Sequence, residues 1–452
     1  MTSTYYKTYT ISKISQGFHT SDIGKLNSRI GQINGWQYVQ RANDFYLPWE
    51  EFRNKDWAGA EPEAAWQAIQ MSRLLKRQST PIIDKDGNSY GFDAHRHVEF
   101  LHQIDLEFGG NMIGLSDFGQ GDKKQLIRRN LIEESIASSK LEGANTSREA
   151  ARRLLKEGRR PRDKSEQMIV NNHEAMRKIE ADLKNAPLSL DILLDLHRQV
   201  TSNTLDDSTL EGKLRETLDK NGNRLKVMLP RDETTVAYIA PDKEFVEVQL
   251  PRLIKFANDQ DDAGFIHPVF KAIMLHFWIG LLHPFEDGNG RLARIIFYWY
   301  MLRRGYWAFS YLSLSERILK SPKQYAMAYI YAEQDNYDLN YFIQYNVEKL
   351  QLARKSLQDY LKRKIGENKQ QNRILESGHG LNHRQVKLLQ HLLKNEERRT
   401  SVATHQNENV DIGYVTAVTD LKTLTAKGLL RKIKTGRNVM YVPTERAALL
   451  FK

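Results

Sequence analysis

Two strongly apolar runs, residues 268–282 and 292–304, lie close together in this 452-residue chain, separated by His283-Pro-Phe-Glu-Asp-Gly-Asn-Gly-Arg291. Apolar positions at helical spacing predict two helices broken by one short loop. The most apolar stretch, residues 273–285, is shorter than the roughly 18 residues that a membrane-spanning helix needs, and it carries His276. No membrane span and no membrane partner are expected. At roughly 150 residues per domain the length predicts about three domains, ample for a buried core. A mean hydropathy of −0.60 with 40% hydrophobic residues fits a soluble protein. The chain has no cysteine, which excludes a disulfide framework, a thiolate nucleophile and a cysteine-based zinc site. The absence of His-Glu-x-x-His argues against a zinc hydrolase. The opening residues, Met1-Thr-Ser-Thr-Tyr-Tyr-Lys, lack the charged-then-apolar layout of a secretion signal, so a cytoplasmic chain is expected.

The organisation reads as mainly α. Residues 1–118 mix aromatics with short polar loops, including a turn signal at Lys85-Asp-Gly-Asn88, and carry no catalytic signature. From Lys123 onward Ile127, Leu131, Ile132, Ile136 and Leu141 recur at helical spacing, with Gly143 as the stop. Further helices are predicted over 149–157, 164–183, 188–201 and 242–258. A β-hairpin is predicted from 225–229 and 235–239 around Pro230-Arg-Asp-Glu233. A helix over 340–364 is predicted to end in the polar run Gly366-Glu-Asn-Lys-Gln-Gln-Asn372, which reads as a linker. The expected domains are therefore an N-terminal accessory region at 1–118, a core at 119–350, a helix and linker at 351–378, and a separate unit at 379–452.

Lysine and arginine number 67 against 56 aspartates and glutamates, a formal net charge of +11. Such an excess favours anionic partners, and equally serves solubility. The loop between the apolar helices is more specific. Gly288-Asn289-Gly290 opens a helix, so successive backbone N–H groups and the helix N-terminus can cradle phosphates. Arg294, one turn in, can fork onto a phosphate. Asp287 is a hard oxygen ligand of the kind Mg2+ takes, and neutral His283 can accept a proton from a hydroxyl. The set suits phosphoryl or nucleotidyl transfer. Singly, Asp-Gly-Asn-Gly is also a good turn and a lone histidine is also a structural residue.

His283-Pro-Phe-Glu-Asp-Gly-Asn-Gly-Arg-Leu-Ala-Arg294 resembles the signature of the Fic family, H-x-F-x-[DE]-G-N-G-R-x-x-R, at every specified position. Flanking residues extend the resemblance to about half the chain: His267-Pro-Val-Phe-Lys-Ala, His276, Gly212-Lys-Leu-Arg215 and Asp338-Leu-Asn-Tyr. The resemblance implies a Fic-type helical core with a β-hairpin flap and transfer of AMP from ATP, with Mg2+, to a Ser, Thr or Tyr hydroxyl of a target protein, itself included. It implies His283 as general base, Phe285 as loop anchor and Asp287 as metal ligand. Gly288, Asn289, Gly290 and Arg291 would form the nucleotide-binding loop, with Arg294 on the γ-phosphate. Val236, Ala237, Tyr238 and Ile239 would belong to the flap that pairs with the target. Ala240-Pro241 stands where many relatives carry Pro-Pro, which leaves flap geometry open. Ser138-x-x-x-Glu142-Gly143 is similar to the family's inhibitory motif [ST]-x-x-x-E-[GN], implying an inhibitory helix at about 124–143 whose Glu142 occupies Arg294. The other reading makes Glu142 a helix-end residue and Gly143 its cap.

The C-terminal residues predict a helix over 381–393, another over 413–424 and two strands within 428–442. This resembles a winged helix-turn-helix. Thr416, Thr419, Lys422 and Thr423 on its recognition helix, with Lys434, Arg437 and Asn438 on its wing, would face a DNA duplex. Packing or partner binding is the other reading of such a module. Rival functions are a DNA-binding regulator with a nucleotide-sensing Fic core, a de-AMPylase, and a transferase of another phosphate-linked group. Homo-oligomerisation is left open.

Overall fold

The computed structural model describes residues 4–5, 36–55, 62–110, 120–219, 221–230, 232–394, 399–408, 412–435 and 438–451. Helices dominate. The described strands form one three-stranded sheet and two two-stranded sheets. The chain divides into two compact units, Met1–Leu357 and Gln358–Lys452.

In the first unit the two apolar runs become the helices Pro268–Leu282 and Asn289–Arg303, buried along nearly their whole length. A helix that is apolar on all sides has to lie inside the core. Proline at the first turn and His267 at the N-cap start the former. Around them run Gln120–Leu141, Lys164–Lys178 and Leu190–Thr201. The last two begin where Asp163 and Ser189 accept from the backbone N–H of Glu166 and Ile192, the caps that their types favour. The predicted 164–183 helix is α-helical to Lys178 and finishes as a π-helical turn, Ile179–Leu183.

The Gln120–Leu141 helix is bolted into the unit by polar side chains as well as by Leu131, Ile132 and Ile136. Glu134 accepts from the Ser313 hydroxyl at 2.7 Å and from the Ser315 backbone N–H at 3.0 Å, and Asn130 donates to the Ser310 and Leu312 carbonyls. Elements within residues 36–110 join the same unit. Tyr46 donates to Asp338 at 2.6 Å, and Arg73 donates to the Tyr341 hydroxyl at 2.7 Å.

The hairpin pairs Lys226–Leu229 with Asp232–Ile239, so its turn is tighter than the predicted 230–233. Register shifts next to Met228 mark an irregularity in the ladder. Thr4–Tyr5 lies parallel on the other edge, opposite Thr235 and Val236.

The polar run 366–372 is not a linker in backbone conformation. It belongs to one helix, Asn340–Glu376. Its residues are mostly good helix formers, and Gly366 alone costs only about 1 kcal/mol. Partners within the second unit then stabilise it: Glu367 bridges Lys364 and Lys394, and Gln371 donates to Gln390. The second unit adds the helices His383–Lys394, Val402–Glu408 and Tyr414–Ala426, then the hairpin Leu430–Thr435 with Asn438–Pro443, and the short helix Glu445–Leu449. Its core gathers Val386, Leu389, Leu421, Leu424, Leu430 and Tyr441.

Candidate active site

The loop begins where the Pro268–Leu282 helix ends. His283 takes the left-handed conformation, φ 45° and ψ 56°, a strain on the order of 1–3 kcal/mol for a residue with a side chain. Its main chain is held on both sides. The N–H donates to the Ile279 carbonyl at 2.9 Å, and the carbonyl accepts from Arg215 Nε at 2.7 Å. Arg215 also donates from Nη2 to the Pro241 carbonyl at 2.6 Å, so the residue that closes Gly212-Lys-Leu-Arg ties the loop to the end of the hairpin. His283 Nδ1 faces the Gly280 carbonyl at 3.4 Å, which assigns the proton to Nδ1 and leaves the lone pair on Nε2. Burial, reinforced by Arg215, pushes the imidazole down to about 4, so the ring is neutral at pH 7.

Within the loop, residues four apart close on one another. The Asn289 amide accepts from the Phe285 N–H at 3.0 Å and donates to the Phe285 carbonyl at 2.7 Å. Arg291, fully buried, donates to the Val200 carbonyl at 2.6 Å and approaches Asp287 at 3.5 Å. The side chains of Asn289 and Arg291, expected to support the loop and its anion, are engaged with the protein behind the loop. Gly288 has φ 83°, and a Cβ there would stand 2.8 Å from Thr201 Cγ2, so conformation and space both select glycine. Asp287 accepts from the Gly288 N–H, and its side chain is 44% exposed. No group of three or more metal-ligating side chains exists among the described residues.

The Gln120–Leu141 helix brings residues 138–143 against this loop. Arg294 Nε donates to Ser138 Oγ at 2.9 Å, and Nη2 donates to the Ser138 carbonyl at 2.9 Å and to Glu142 Oε1 at 3.1 Å. A Cβ on Gly290 would meet Glu142 Oε1 at 2.3 Å, so the carboxylate rests against the backbone of the helix N-terminus. An anion is favoured there by the helix dipole. Glu142 also holds the Arg294 guanidinium above its ordinary range against the opposing effect of burial. Gly143 follows with φ 93°.

His197 and Arg215 were not among the site residues expected from sequence. His197 Nδ1 accepts from the Gly212 N–H at 3.0 Å, so Nε2–H donates to the Asp287 carbonyl at 2.9 Å. Its ring lies flat on Phe285, with centroids 3.7 Å apart. Burial lowers it to about 4 and keeps it neutral. No local pattern marks this histidine, because its partners come from two other loops.

In the hairpin Val236 and Ala237 are buried, Tyr238 is half-buried and Ile239 is exposed. Ala237 packs with Met327 and Ile330 of the Pro322–Gln334 helix. In the second unit Thr419, Lys422 and Lys434 are exposed and Thr416 is half-buried, while Arg437 lies outside the described residues.

Fold and loop together make the first unit a helical domain organised around one histidine-and-glycine loop. Residues 187–301 match the family described as Fic/DOC, so the chain carries a Fic/DOC-family domain. This match is narrower than the half-chain resemblance read from flanking residues, and it leaves residues 138–143 outside. Protein adenylyltransferase fic-1 of Caenorhabditis briggsae is 30% identical over 141 residues, covering 30% of this chain and 24% of that protein. Protein adenylyltransferase Fic of Culex quinquefasciatus is 29% identical over 140 residues, 30% of this chain and 25% of that one. The chain thus spans about a quarter of the length of the curated relatives it matches. Among solved structures, a Fic family protein from Desulfovibrio desulfuricans aligns at 18% identity and TM-score 0.47 over 76% of this chain and 95% of its own. Fic-1 from Caenorhabditis elegans aligns at 20% identity and TM-score 0.47 over 69% and 79%.

Proposed function

We propose that this chain transfers AMP from ATP to a Ser, Thr or Tyr hydroxyl of a protein, and that Glu142 restrains it. The observation that carries this reading is the Glu142 carboxylate seated on Arg294 and the backbone of Gly290. A carboxylate of the chain thereby stands where a guanidinium and a helix N-terminus would otherwise receive a phosphate. With Glu142 in place, the triphosphate would bind misaligned.

In the released state His283 Nε2 takes the proton of the target hydroxyl as its oxygen bonds to the α-phosphorus. The bond from that phosphorus to the bridging oxygen breaks, and pyrophosphate leaves. The N–H groups of Asn289 and Gly290, at the start of the helix, hold phosphate oxygens, and Arg294 holds the terminal phosphate. Positioning is most of what the reaction asks of the protein. Asp287, a half-exposed carboxylate, suits Mg2+, which takes one or two carboxylates together with phosphate oxygens and water. The ion would supply charge neutralisation on the phosphates. The outer edge of Asp232–Ile239 offers main-chain pairing to an extended target segment, and the pairing of Thr4–Tyr5 there supports its capacity to accept one. A cytoplasmic location belongs to the same reading. So does a winged helix in the second unit, where exposed Lys422 and Lys434 favour a DNA duplex.

The test is intact-mass measurement of wild type and Glu142→Gly after incubation with ATP and Mg2+, with and without cell extract. Addition of AMP to the variant or to an extract protein is expected. No AMP on any protein from either form would overturn the proposal.

A further inference from the structure

The last turn of the Leu190–Thr201 helix meets the loop through three residues, each at a different point. His197 Nε2–H donates to the Asp287 carbonyl at 2.9 Å, the Val200 carbonyl accepts from Arg291 at 2.6 Å, and Thr201 Cγ2 would stand 2.8 Å from a Cβ on Gly288. Residues at i, i+3 and i+4 share one face of a helix. A single helical face therefore supports the backbone from Asp287 to Arg291.

That face is itself fixed. The Thr201 hydroxyl donates to the His197 carbonyl at 2.7 Å, and the fully buried His197 ring is held from three directions. Nδ1 accepts from the Gly212 N–H at 3.0 Å, one face lies on Phe285, and Nε2–H meets the Asp287 carbonyl. The bond to Asp287 goes to its main chain, so the root of the side chain is pinned while the carboxylate stays 44% exposed. The other end of the loop has its own brace. Arg215 donates from Nε to the His283 carbonyl at 2.7 Å and from its backbone N–H to the Pro284 carbonyl at 3.0 Å. Base and carboxylate are thus positioned by different residues, and their effects should separate.

Resting on the nucleotide reading above, we infer that His197 is a positioning residue for the cation: through the Asp287 carbonyl it fixes the carboxylate that would hold Mg2+ beside the phosphates. Groups behind a metal ligand set its orientation, and their loss typically costs about 10- to 100-fold in metal affinity. The effect should therefore fall on ATP binding in the presence of Mg2+ and spare binding without it.

The test is calorimetric binding of ATP to the full chain carrying Glu142→Gly, with Mg2+ and with EDTA, alone and combined with His197→Asn, His197→Gln or Asp287→Ala. The two amides differ by one methylene. The shorter reaches the position of Nδ1 and can accept from Gly212, whereas the longer reaches the position of Nε2 and can donate to the Asp287 carbonyl. Thermal melting sets the temperature below which each variant is folded, and binding is measured there. His197→Asn should reduce the gain in ATP affinity that Mg2+ brings by about 10-fold, with affinity in EDTA unchanged, and His197→Gln should restore most of it. Asp287→Ala should abolish the gain and make His197→Asn silent. Equal weakening with and without Mg2+, or equal effects of the two amides, would overturn the inference. Absence of ATP binding, or a gain that survives Asp287→Ala, would instead overturn the nucleotide reading beneath it.

Discussion

Residues 283–294 and residues 138–143 meet at one arginine, yet they are held in place in opposite ways. The loop is largely self-sufficient. Asn289 closes on Phe285 and Arg291 reaches back to Asp287, each over four residues, while His197 and Arg215 brace it from behind. The 138–143 segment engages Arg294 across more than 150 residues of chain through three hydrogen bonds on a single side chain. The loop's geometry therefore does not depend on this contact, and one local movement would undo the contact on Arg294.

The largest effect that would sharpen this contrast is His283→Ala. Loss of the base should cut transfer about 10²- to 10⁴-fold while ATP affinity stays near wild type, measured by initial rates and calorimetry. Undiminished transfer would end the assignment. Phe285→Ala tests the rigidity of the loop: removing a fully buried ring stacked on His197 should cost about 3–5 kcal/mol in denaturant unfolding. A loss below about 1 kcal/mol would mean that the loop does not depend on this anchor. Glu142→Gly tests the other side. Freeing Arg294 should raise AMP incorporation roughly 5- to 150-fold, the scale of a coupling of about 1–3 kcal/mol, and equal initial rates would reduce Glu142 to a helix-end residue.

Acid should act on the loop. Half-buried His283 and buried His197, both neutral, hold values of about 4 against 6.5 for a free imidazole. Between those values the unfolded chain binds more protons than the folded one, so stability rises with pH across that window. The contribution is complete above 6.5 and disappears as pH falls to about 4. Each group can add a slope of up to about 1.4 kcal/mol per pH unit. His197→Gln should flatten the dependence of Tm on pH over this interval, and an unaltered slope would remove His197 from the account. The smallest effect is expected far from the loop: Lys422→Ala with Lys434→Ala should weaken salt-sensitive duplex binding by the full chain, with a shallower salt slope. Gel shifts at two salt concentrations decide it, and identical slopes would dispose of a role for these lysines on DNA.

Much of the site was legible because its chemistry is local. The two apolar helices and the loop between them follow from contiguous residues whose backbone and spacing interact at short range, whereas the crowding that excludes a side chain at 288 comes from Thr201. The polar run 366–372 was misread for a related reason: glutamate, lysine and glutamine serve a linker and an exposed helix equally, and the partners Lys394 and Gln390 that decided between them lie far along the chain.

By itself, then, the sequence determined the helical core and the histidine loop, since periodicity and turn chemistry are properties of neighbouring residues, while the candidate pair Glu142 and Arg294 was implied only by resemblance to the family's motifs. Tertiary structure alone decided that Arg291 and Asn289 face the protein, that His197 carries the loop, and that Arg215 ties His283 to the end of the hairpin. Which polar group is buried beside which other is set only when distant segments pack and each lost bond to water has to be replaced by one within the protein.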